Sequence, residues 1–72
     1  MSIDAEFNKL FYEFTRIVGY PPTHFLLGHD QFAEYMRYCQ RLPYPMRNIN
    51  EYKGIFLEEV KETNHLSAER RG

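Results

Sequence analysis

The side chains able to do chemistry in this 72-residue chain fall into three sets. His24, His29, Asp30 and His65 combine imidazole with carboxylate, the donor types of a tetrahedral zinc shell. No HExxH or paired-Cys pattern accompanies them, so the spacing favours loop and surface histidines, with no metal and no other cofactor. Cys39 with a distant histidine, or the carboxylates Asp30 and Glu34 one helical turn apart, offer a nucleophile with a base or an acid with a base. Cys39 falls on an apolar helix face where a thiol is unreactive, and Asp30 with Glu34 reads equally as a helix cap and a surface carboxylate. No enzyme is expected. The third set is Arg37, Tyr38, Arg41, Tyr44 and Arg47, a run in which no acidic residue interrupts the arginines. Arg37 and Arg41 are four apart and share a helix face. Arginine with tyrosine grips phosphates and stacks bases, and the same pair of residue types is enriched where proteins bind proteins.

Composition chooses between those uses. The net charge is −1, so the chain has no overall attraction for nucleic acid or anionic lipid, and a protein partner is the first expectation. A nucleic-acid-binding accessory role for Arg37, Arg41 and Arg47 is the alternative, and a solvated helix face is the plain reading. Hydrophobic content of 43% with 26% charged residues describes a folded, soluble chain, yet six Phe and six Tyr are more aromatic surface than so short a chain hides. Some of it is expected to face a partner. Cys39 is the single cysteine, so no intrachain disulfide staples the core, which fits a reducing cytoplasm. The acidic start, Met1 to Leu10, reads neither as a signal peptide nor as a membrane span.

The elements that must position these residues form an α+β domain over 1–62. Ile3, Phe7, Leu10, Phe11, Phe14, Ile17 and Val18 recur at helical spacing and predict one buried face, capped by Ser2 or Asp4 and stopped by Gly19, Pro21 and Pro22. Thr23 to Leu27 reads as a strand ended by Gly28. Asp30 then caps a second helix that buries Phe32, Tyr35, Met36, Cys39 and Leu42, turns Gln31, Glu34, Arg37, Tyr38 and Arg41 to the other side, and ends before Pro43 and Pro45. Tyr52 to Val60 suits both periods, and Gly54 favours a strand after a turn at Asn48 to Glu51. The expectation is two helices on one face of a two- or three-stranded sheet, with a small all-α bundle as the alternative. Residues 63–72 read as a polar, frayed tail. Glu51, Glu58, Glu59 and Glu62 make the last strand acidic, and an open sheet edge there invites pairing with a second copy of the chain unless its charges protect it.

The run PPTHFLLGHDQFAEYM followed by EYKGIFLEEV resembles a strand, glycine turn, helix and returning strand of certain short bacteriophage-encoded proteins, over roughly half the chain. Leu27, Gly28, Asp30, Phe32 and the stretch Tyr52, Lys53, Gly54, Ile55 carry the likeness. It implies a phage or prophage setting, in which small proteins serve as virion components that assemble with themselves or as binders of host proteins.

Overall fold

The computed structural model describes residues 2–43 and 50–71. Helix α1 spans Ile3–Val18, strand β1 His24–Leu27, helix α2 His29–Gln40, and strands β2, β3 and β4 span Glu51–Tyr52, Ile55–Glu59 and Leu66–Glu69. The four strands form one mixed sheet in the order β2-β3-β1-β4, so the fold is α+β. β1 runs parallel to β3 with Phe25 beside Leu57, and antiparallel to β4 with Phe25 beside Ala68.

Strand alternation decides the core. Phe25 and Leu27 of β1, Ile55 and Leu57 of β3 and Tyr52 of β2 point to one face, where Ile3 and Phe7 of α1 and Tyr35 of α2 meet them. Phe7 is the hub. Its ring stacks on Phe25 with centroids 5.0 Å apart, and lies 4.8 Å from Tyr52 and 5.7 Å from Tyr35. The opposite face carries His24, Leu26, Phe56, Glu58, Ser67 and Glu69, and among the described residues no helix lies over it.

Helix ends follow local chemistry. Gly19 closes α1 at φ 91°, a left-handed value suited to glycine, with its N–H on the Thr15 carbonyl at 2.8 Å. Ser2 is the N-cap of α1, and its hydroxyl bonds the Asp4 carboxylate, which holds that carboxyl below its ordinary range. Asp30 is not the cap of α2. The helix begins two residues earlier than that cap would set it, with Gly28 at the cap position, because the Gly28, His29 and Asp30 N–H groups already donate to the carbonyls of His65, Glu62 and Thr63 at 2.8–3.0 Å.

Three expectations are corrected by the packing. The helical face of α1 is buried only over its first half: Ile3 and Phe7 are enclosed, whereas Ile17 is 77% exposed and Phe11 and Val18 also reach solvent. The sheet is shorter than the helix, so periodicity continues past the surface that covers it. The segment read as one strand from Tyr52 to Val60 is a hairpin instead, turning at Lys53 and Gly54. Both turn residues are left-handed, φ 50° and 84°, as a tight two-residue hairpin requires. Finally, Leu66–Glu69 does not fray. It forms β4, and β4 rather than β3 is the long strand at a sheet edge.

Tyr35 ties α2 to the hairpin, its hydroxyl donating to the Glu51 carbonyl at 3.0 Å. Burial, then the adjacent Cys39 thiol, pushes its phenol well above the ordinary 10.0, and burial raises Tyr52 as well. The fold therefore holds both phenols neutral. Their contribution is complete below about pH 10 and is lost as pH rises above it. Denaturant midpoints are expected to fall between about pH 10 and 12, and Tyr35→Phe to flatten that alkaline limb while costing about 1 kcal/mol at neutral pH. An alkaline limb unchanged in the variant contradicts this reading.

Candidate protein-docking surface

The C-terminal turns of α2 hold what the structure describes of the arginine–tyrosine run. Arg37 lies in the last helical turn and Arg41 at the C-cap; both are exposed, and among the described residues neither has an ion-pair partner. Cations at a helix C-terminus also complement its dipole, so their placement costs the fold nothing. Tyr38, between them in sequence, is turned inward: it is half-buried, packs against the core, and its ring centroid is 6.2 Å from that of Tyr35. The structure thus brings Arg37 and Arg41 to the surface together and leaves Tyr38 as a partial support beneath them. Tyr44 and Arg47 lie outside the described residues.

The exposed surface of α1, the other helix of the layer, is strongly apolar, in line with the heavy aromatic content of so short a chain. α1 packs beside α2 in the same layer and exposes Tyr12 (78%) and Ile17 (77%), with Val18 following and Tyr20 just beyond its end. A groove of about 310 Å³ opens between Phe11 and Tyr12 of α1 and the hairpin residues Tyr52, Lys53 and Ile55. The Lys53 ammonium lies 5.3 Å from the Tyr52 ring centroid at the rim. A strongly amphipathic helix longer than the sheet it covers is the signal that identifies this surface, and it can be read from the spacing of Phe11, Phe14, Ile17 and Val18 once the sheet's extent is known.

The other candidate sets do not converge. His24 Nδ1 is 2.8 Å from the Thr23 hydroxyl, His29 Nδ1 3.3 Å from Glu59, and His65 Nε2 2.8 Å from the Ser67 hydroxyl. Each histidine has its own neighbour, and among the described residues no three His, Cys, Asp or Glu side chains are grouped to hold a metal ion. Asp30 occupies the first turn of α2, Glu34 is half-exposed on the same helix, and Cys39 is half-buried against the core beside Tyr35. On the uncovered sheet face Arg71 bridges Glu58 of β3 and Glu69 of β4 across β1, and Arg71 first of all holds the Glu58 carboxyl below its ordinary range. These ion pairs are half-exposed and fasten the chain end to the sheet.

No family model, curated protein or solved structure matches the chain. Among the described residues, no helix is long and apolar enough to cross a membrane.

Proposed function

We propose that the chain is a non-enzymatic binding protein that docks on another protein and acts by occlusion or assembly, in the phage or prophage setting that the sequence resemblance implies. The observation that supports this is the large apolar area left in water by the helical layer, carried by Phe11, Tyr12, Ile17 and Val18 of α1. In so small a chain such side chains contribute little to its own core. Arg37 and Arg41 on the adjoining helix give the layer a charged rim that orients a partner, the arrangement in which aromatic and arginine side chains dominate binding energy. Protein is favoured over nucleic acid because the net charge is −1 and the exposed area is apolar.

Replacing Arg37 and Arg41 together by alanine is expected to weaken partner binding at least tenfold, about 1.4 kcal/mol, with the far-ultraviolet circular dichroism unchanged. Unchanged affinity in a folded variant rules out this rim. Affinity that falls steeply with salt identifies phosphate contacts and hence a nucleic acid instead.

A further inference from the structure

Beyond docking on a different protein, β4 has the features of a self-pairing edge. It ends the sheet, and among the described residues no strand lies beyond it. His65 offers its carbonyl to the Gly28 N–H at 2.8 Å and its own N–H to Gln31 Oε1 at 2.9 Å, both on the β1 side. Backbone groups alternate along a strand, so Ser67 and Glu69 also turn toward β1 while Leu66 and Ala68 present N–H and C=O outward. Between Leu66 and Glu69 the strand has no proline and no lysine, and its one charged residue, Glu69, stands at its very end with its backbone turned toward β1. The two basic residues that follow are drawn away, Arg70 onto the Pro21 carbonyl and the Tyr20 ring, Arg71 across the sheet face to Glu58 and Glu69.

We propose that a second copy of the chain pairs with this edge, antiparallel and about a two-fold axis at Ser67, making one continuous sheet from two protomers. Two-fold pairing in a sheet sets residues of the same face opposite each other, so the axis falls on a residue. At Ser67 it places Leu66 opposite the partner's Ala68 and His65 opposite the partner's Glu69, matching apolar with apolar and a base with an acid. Moved to Ala68, the axis sets Leu66 against arginine; moved to Glu69, it sets two carboxylates together; moved to Leu66, it sets Ala68 against asparagine. At Ser67 the outward-turned groups of Leu66 and Ala68 also become the hydrogen-bonded pairs.

The flanking helix fits the same occupant. A groove of about 410 Å³ runs along the edge between Leu66 and the α1 residues Ala5, Glu6, Lys9, Leu10 and Glu13. Among the described residues Lys9 and Glu13 make no ion pair within the protomer. When two α1 helices lie antiparallel across the axis, Lys9 meets the partner's Glu13 and Glu13 the partner's Lys9, with the exposed Ile17 on the same side of the helix.

Sedimentation equilibrium of the full chain tests this over protomer concentrations from about 1 μM to 1 mM, a range that spans weak self-association. A reversible dimer is expected. Ala68→Pro removes an outward N–H that β1 does not use and is expected to give a monomer. Lys9→Glu is expected to weaken the dimer about tenfold, and Lys9→Glu with Glu13→Lys to restore it. Circular dichroism confirms that each variant is folded, and the charge swap keeps the test decisive should Ala68→Pro unfold. A monomer throughout the range, an open-ended oligomer, or a dimer indifferent to Lys9→Glu overturns the proposal. Arg37→Ala with Arg41→Ala leaves this dimer unchanged.

Discussion

Phe7→Ala is expected to destabilise the fold by about 3–5 kcal/mol, the usual cost of removing a buried phenylalanine ring. Phe7 has no exposed surface and its ring contacts all of Phe25, Tyr35 and Tyr52, so one substitution loosens α1, α2, β1 and β2 together. A domain of this length has about 4–10 kcal/mol of stability in all, taking roughly 0.05–0.15 kcal/mol per residue. Urea unfolding followed by tyrosine fluorescence is expected to show a large unfolded fraction at 25 °C. A variant that loses less than about 1 kcal/mol places the core elsewhere.

Gly28→Ala is expected to cost about 1–3 kcal/mol although the φ of Gly28, −71°, suits any residue. The obstacle is space. A Cβ would stand 2.6 Å from the His65 nitrogen, 2.8 Å from the Glu62 carbonyl oxygen and 2.9 Å from Gln31 Oε1. Two of these are backbone atoms, held where the segment before β4 crosses the start of α2, so the clash is relieved only by displacing that segment. Amide exchange is expected to quicken first at Gly28, Asp30 and Ser67. Gly54→Ala provides the contrast: nothing lies within 4 Å of its Cβ position, and its cost, about 1 kcal/mol, comes from the left-handed φ of 84° alone. Equal losses in the two variants contradict the close crossing at Gly28.

The same residues show how far the sequence reaches. The apolar spacing from Ile3 to Val18 places α1 because one-face burial imposes that period, whereas β1 is legible only as a short apolar strand, its buried face hidden because Leu26 is as apolar as Phe25 and Leu27. Periodicity does not say how much of a helix its neighbours cover, and so the exposed end of α1 emerged only with the sheet beneath it. The turn at Lys53 and Gly54 lacks the Asn-Gly or Asp-Gly pair that marks a tight hairpin. β4 is written in Leu66 and Ala68 alternating with Ser67 and Glu69, a short signal made faint by the polar residues around it. Of the candidate site, the exposure of Arg37 and Arg41 follows from their spacing of four, whereas the inward turn of Tyr38 depends on Tyr35 below it.

These placements make recognition of a protein the central claim, and affinity capture tests it most directly. The tagged 72-residue chain and its Arg37→Ala/Arg41→Ala variant are passed through bacterial lysate with and without nuclease, and bound proteins are identified by mass spectrometry. The account predicts one stoichiometric, nuclease-resistant protein that the wild-type chain retains and the folded variant releases. Recovery of the bait alone, or retention that nuclease abolishes, contradicts it.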